Sequence, residues 1–174
     1  KLTNMEVQVM FERMIEDWFG GCRPVSNAFL QAMLADDLEG MNEYMNDISC
    51  EVFSSFDTGK NASAQTQPER FFHGFVLGMM VELRDRYVIS SNRESGFGRY
   101  DVMLEPKETG APAFIIEFKS VRTRRGETLE AAVAAALKQI EEKQYEAMLR
   151  AKGIPANRIR KYGFAFEGRQ VLIG

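Results

Sequence analysis

Gly98-Arg99-Tyr100-Asp101-Val102-Met103-Leu104-Glu105 and Ala113-Phe114-Ile115-Ile116-Glu117-Phe118-Lys119-Ser120 flank the connector Pro106-Lys107-Glu108-Thr109-Gly110-Ala111-Pro112. The connector is dense in turn formers and has a proline at each end, so the stretch reads as a β-hairpin. Folding it about Thr109 sets Asp101 opposite Glu117 and Arg99 opposite Lys119. Residues directly opposed share a face, and so do residues two apart on one strand. Asp101, Glu117, Lys119 and Arg99 are therefore expected on one side. A slip of one residue would scatter this set, whereas a slip of two would keep it.

The second strand makes the convergence informative. Phe114-Ile115-Ile116 is apolar on both faces, as in a central strand covered on both sides, and Glu117 and Lys119 then flank Phe118. Charges at the end of a buried strand cost several kcal/mol per ion unless they are paired or bind a metal. Two facing carboxylates repel, and a divalent cation between them resolves the repulsion. A lysine beside that cation can contact a phosphate or position a water. The residues alone also fit a structural Glu117–Lys119 pair at the strand exit.

Outward from the hairpin, Tyr87-Val88-Ile89-Ser90-Ser91 reads as a strand, and Asn92 to Gly98 as a glycine-punctuated segment carrying Arg93 and Glu94. Gly96 and Gly98 permit a bulge or a close backbone approach. A helix is expected from Glu69 to about Arg84, with Phe72, Phe75, Val76, Met79 and Met80 as its stripe and His73, the single histidine, one turn after Glu69. On the other side, Arg122-Thr123-Arg124-Arg125 is a basic loop, for which a solvated surface turn is the commoner reading and contact with phosphates, next to the hairpin end, the other. One long helix is expected from about Glu127 to Arg150, with Leu129, Val133, Leu137, Ile140 and Met148 buried and Gln139 on the flank of that stripe. Gly153 and Pro155 end it, and Tyr162-Gly163-Phe164-Ala165-Phe166 and Val171-Leu172-Ile173 follow as strands about the Glu167-Gly168 turn.

The N-terminal third is helical in pattern. Thr3-Asn4-Met5-Glu6 is a capping box ahead of Val7, Phe11, Met14, Ile15 and Trp18. A second helix follows Pro24 and Ser26 to about Ala35, and a third takes up Leu38, Met41, Met45, Ile48 and Val52. The polar loop Gly59 to Pro68 is the best boundary, dividing a helical segment (1–63) from a core (64–174).

The chain has 174 residues and a formal net charge of −3, which argues against a broadly basic nucleic-acid surface but leaves room for local basic patches. No apolar run is long enough to span a bilayer, and no signal peptide is expected. Cys22 and Cys50 match no zinc or redox spacing, so reduced thiols and a cytoplasmic location are expected. The chain starts at Lys1 and stops inside an apolar run, so a piece of a longer protein is expected.

Asp101, the hairpin, and Glu117-Phe118-Lys119 resemble the signature of the PD-(D/E)XK nuclease superfamily. The longer string Asn92-Arg93-Glu94-Ser95-Gly96-Phe97-Gly98-Arg99-Tyr100-Asp101 with Ile116-Glu117-Phe118-Lys119 resembles one branch of it. In that branch the nuclease-like domain lies C-terminal to an AAA-ATPase-like domain in bacterial proteins, and residues 1–63 would be the helical connector. The resemblance implies an α/β fold with a restriction-endonuclease-like αβββαβ core, a mixed sheet and metal-dependent hydrolysis of phosphodiesters, most commonly in DNA. It implies that Asp101, Glu117 and the Phe118 carbonyl hold Mg²⁺ or Mn²⁺ and that Lys119 serves the attacking water and the phosphate. Glu94 and Gln139 would join the catalytic set, while His73, Arg99, Arg93, Arg124 and Arg125 would line the substrate path. Glu69 is a further acidic candidate on the first core helix. A non-catalytic module of the same fold, used for nucleic-acid binding or assembly, is the alternative.

Overall fold

The structure is a computed structural model and describes residues 23–56, 68–121 and 126–174. The capped helix expected from Thr3, the loop from Gly59 to Gln67 and the basic run Arg122 to Arg125 lie outside the described residues. Two helices, α1 (Arg23–Ala35) and α2 (Leu38–Phe56), precede α3 (Pro68–Met80), which tightens into a 3₁₀ turn at Val81–Leu83. Strands β1 (Tyr87–Ser95), β2 (Gly98–Pro106) and β3 (Ala113–Ser120) follow, then helices α4 (Leu129–Glu142) and α5 (Ala147–Ala151), and finally β4 (Ile159–Glu167) and β5 (Gln170–Ile173). The five strands lie in sequence order. The first three pair antiparallel, β3 and β4 pair parallel, and β5 returns antiparallel to β4. This mixed α/β sheet with helices on both faces is the architecture of a restriction-endonuclease-like core.

The sheet alternates its side chains between two cores. Val102, Leu104, Phe114, Ile116, Phe118, Phe164 and Phe166 pack against α1, α2 and α3. Met103, Ala113, Ile115 and Ile159 pack on the other face against Ile140 of α4 and Leu149 of α5. Phe114 to Phe118 are all buried, as a central strand requires. A Cβ on Gly163 would lie 2.8 Å from the Val133 carbonyl and 3.0 Å from Ala136 Cβ, so that glycine is what lets α4 approach the sheet. Gly163 is the register partner of Glu117 across the parallel ladder.

The edge strand β5 is covered from an unexpected direction. Asn42 and Asn46, one turn apart on α2, each donate to and accept from one residue of β5. Asn42 pairs with the Ile173 carbonyl and N–H at 2.9 and 2.8 Å, and Asn46 with those of Val171 at 2.8 and 3.0 Å. The amides thus stand in for a further strand on an edge that would otherwise present unpaired backbone groups. Among the described residues, no helix is long and apolar enough to cross a membrane.

Two elements differ from expectation. Strand β1 continues to Ser95, because the Asn92–Gly98 segment pairs with β2 as far as Ser95 opposite Gly98. The single helix expected over Glu127–Arg150 is instead two, broken at Lys143–Glu146. Gln144 is left-handed (φ 53°), with its N–H bonded to the Glu141 carbonyl and that of Tyr145 to Ile140. This is a Schellman stop with glutamine where glycine is usual. Glu141 to Gln144 are good helix formers, so propensity loses here to the burial of Tyr145, which is 1 % exposed.

Candidate active site

The observed β2–β3 register places Val102 opposite Ile116, Met103 opposite Ile115 and Leu104 opposite Phe114, as folding about Thr109 requires. Backbone pairing stops there. Beyond it, Asp101 Oδ2 accepts a hydrogen bond from the Phe118 N–H at 2.9 Å, so a side chain replaces the next ladder bond and the strands part. Asn92, across from Asp101 on β1, is left-handed (φ 52°) at the same level. Past this point Tyr100 no longer follows Val102 but packs on the α4 face, its ring 6.2 Å from that of Tyr145. Phe118 is gripped on the opposite face by the rings of His73, Phe164 and Phe166 at 5.1, 5.3 and 5.9 Å. With Phe118 fixed inward there, its neighbours Glu117 and Lys119 point to the α4 side.

Glu117 is 2 % exposed, and its Oε1 receives Lys119 Nζ at 2.9 Å. Gln139 on α4 completes the group. Its Oε1 accepts from Lys119 Nζ at 2.8 Å, while its Nε2 donates to Glu117 Oε1 and, at 3.0 Å, to the Tyr145 hydroxyl. The amide can take only this orientation, since a flip would face its NH₂ to an ammonium. Tyr145 in turn donates to the Arg99 carbonyl at 2.7 Å. Burial pushes its hydroxyl above the ordinary tyrosine range, and the Gln139 hydrogen bond opposes that. The charges of Glu117 and Asp101 add to the rise and Lys119 works against it. The phenol is therefore a fixed donor at any working pH.

The other predicted residues are placed in several different surroundings. Arg99 meets this network through its backbone carbonyl, and its side chain is exposed, as are those of Arg93 and Glu94 near the end of β1. His73 lies across the sheet from Lys119, stacked on Phe118 with Nε2 2.9 Å from Ser91 Oγ. Glu69 stands in the first turn of α3. Arg124 and Arg125 are outside the described residues. The expectation for this site omitted Tyr145. On an unbroken helix it would be rotated about 120° from Gln139, so spacing argued against a contact. The available signal was a lone aromatic in the polar run Glu141 to Glu146.

The donor set at the parting strands suits a hard divalent ion. Asp101 and Glu117 offer carboxylates. The Phe118 N–H faces Asp101, and in an extended strand the carbonyl of the same residue faces the same side, adding a third oxygen. Among the described residues no group of three or more His, Cys, Asp or Glu gathers. Two carboxylates completed by waters or phosphate oxygens is the usual way of holding magnesium.

A mixed sheet whose central strand ends in Glu117-Phe118-Lys119 beside Asp101 of the preceding strand defines the class of nuclease-type α/β folds. Residues 67–174, more than half of the chain, match the family model of the PD-(D/E)XK nuclease superfamily, and the chain belongs to that superfamily. Its members are in general hydrolytic nucleases that use divalent metals. No curated protein and no solved structure matches the chain.

Proposed function

We propose that this protein is a metal-dependent nuclease hydrolysing phosphodiester bonds of DNA, and that it works in the bacterial cytoplasm as the C-terminal part of a chain with an AAA-ATPase-like domain. The observation that supports this most is the Lys119–Glu117–Gln139 group at the mouth of the gap beside Asp101. Asp101, Glu117 and the Phe118 carbonyl would hold Mg²⁺ or Mn²⁺, which polarises a phosphate and makes a bound water acidic. Lys119 is 30 % exposed at its side chain against 3 % for Glu117, so its ammonium sits at the opening while the carboxylate lies beneath. Two of its protons are directed to Glu117 and Gln139. The third is available to a phosphate oxygen or an attacking water, where charge develops in the transition state. Gln139 keeps the ammonium from folding back fully onto the carboxylate.

A second reading has one observation in its favour. The 2.9 Å ion pair between Lys119 and Glu117 is also what a non-catalytic module of the same fold would have. Cleavage of plasmid and single-stranded DNA with Mn²⁺ separates the two. Wild type should cut, EDTA should stop it, and Lys119→Ala should lower the rate by about a hundredfold or more, the scale of one lost electrostatic stabiliser. Equal cleavage by both proteins, or a melting temperature that falls with no kinetic defect, would leave Lys119 a structural residue.

A further inference from the structure

Phe97 at the tip of the β1–β2 hairpin is 73 % exposed, the highest value among the exposed large hydrophobic residues described. Among the exposed large hydrophobic residues described, Leu38 and Val81 stand on other elements and Val88 at the far end of β1, opposite Glu105, so Phe97 stands as a single ring. Its backbone is held firmly. The Phe97 N–H donates to the Lys143 carbonyl at 2.8 Å. A Cβ on Gly96 would lie 2.2 Å from that same carbonyl, and one on Gly98 would lie 3.2 Å from the Tyr145 ring. The tip is thus clamped to the break between α4 and α5 with its aromatic ring turned to solvent. The exposed cations Arg93 and Arg99 flank it on the hairpin and the exposed Lys143 lies at the helix break beneath it, while the exposed carboxylates on the same segments are Glu94, Glu141 and Glu142. The tip is also wired to the candidate site: the Arg99 carbonyl accepts from Tyr145, Tyr145 from Gln139, and Gln139 contacts Glu117 and Lys119.

We propose that Phe97 is a stacking platform for an unpaired nucleobase, with Arg93, Arg99 and Lys143 taking the flanking phosphates, so that this site favours single-stranded or frayed nucleic acid. The inference rests on the nuclease reading and deepens it. A lone flat ring on a rigid support, with Arg93 and Arg99 beside it on the hairpin, offers too little apolar area to seat a protein, whose hot spots cluster. It suffices for one base, because every base has a π-face. In a duplex those faces are already stacked and out of reach.

The test is the affinity of Phe97→Ala, Phe97→Leu and Phe97→Trp for a fluorescent single strand and the matching duplex, with Mg²⁺ present and Lys119→Ala in every protein to suppress cleavage. Alanine and leucine should each weaken single-strand binding roughly ten- to a hundredfold, tryptophan should hold or tighten it, and the duplex should change much less. Leucine binding like phenylalanine would mean apolar docking without stacking and overturns the proposal, as does an equal loss on both substrates or no loss at all. Cleavage by the protein with native Lys119 reports separately on the nuclease reading. If it cuts while the Phe97 series is flat, only the stacking inference falls; if it neither cuts nor binds, both do.

Discussion

Tyr145 shows how a single hydroxyl can organise a site it does not itself fill. It is 1 % exposed, accepts from Gln139 and donates to the Arg99 carbonyl, and so ties the loop after α4 to strand β2. Removing only the oxygen leaves the ring and its packing on Tyr100 in place. Tyr145→Phe should cost about 1 kcal/mol of stability, the net worth of a hydrogen bond, in urea unfolding. Because Gln139 would lose the partner that fixes its amide, turnover should also fall by about tenfold, as for other groups that orient a ligand or catalytic residue. KM should stay near its original value. A stability loss with kcat unchanged would make Tyr145 a packing residue alone.

At the scale of elements, the break between α4 and α5 and the tip of the β1–β2 hairpin are one device. The left-handed Gln144 turns the chain so that the Lys143 carbonyl receives the Phe97 N–H. Gly96 is both left-handed (φ 59°) and pressed against the Lys143 and Gln144 backbone. Gly153 has a positive φ of 85° in open space, so it isolates the conformational term from the clash. Gly153→Ala should therefore cost about 1 kcal/mol. Gly96→Ala should cost about 3 kcal/mol or more, since strain and collision add. Equal losses in urea unfolding would mean that the tip is not clamped as described.

For the whole molecule, the α1–α3 face is the larger core, and polar contacts lock its helices to the sheet. Arg160 of β4 donates to the Met33 and Leu34 carbonyls at the end of α1, at 3.1 and 2.8 Å. Tyr162 donates to Asp36 just beyond it. Burial, reinforced by the Asp36 carboxylate, raises the Tyr162 hydroxyl well above the usual tyrosine value. The folded state then releases this proton at higher pH than the unfolded chain. The stability it contributes is complete below the unfolded pKa of about 10 and declines as pH rises from there toward the folded value. Tyr162→Phe should lower stability at pH 8 but flatten its fall between about pH 10 and 11, as read from urea midpoints. Tyr87 and Tyr145 are raised too, so a weaker alkaline slope should persist. A slope identical to wild type would place the alkaline sensitivity elsewhere.

What the sequence by itself determined was local. The turn formers around Thr109 set the hairpin register, the apolar run Phe114–Ile116 set a central strand, and the two-residue period put Glu117 and Lys119 on one face. Period-two patterning and turn chemistry act between near neighbours, which is why both were legible along with the mixed α/β class. Spacing placed Gln139 only on the flank of its helix, and the family resemblance alone added it to the site. The meeting of Gln139 with Lys119 required α4 to settle on the sheet over Gly163. The parting of β2 from β3 at Asp101, the helix stop that carries Tyr145 inward, and the Asn42–Asn46 cover over β5 were decided by the tertiary structure alone. Each satisfies a backbone or side-chain polar group with a partner distant in sequence, and no propensity or spacing along the chain encodes which partner arrives.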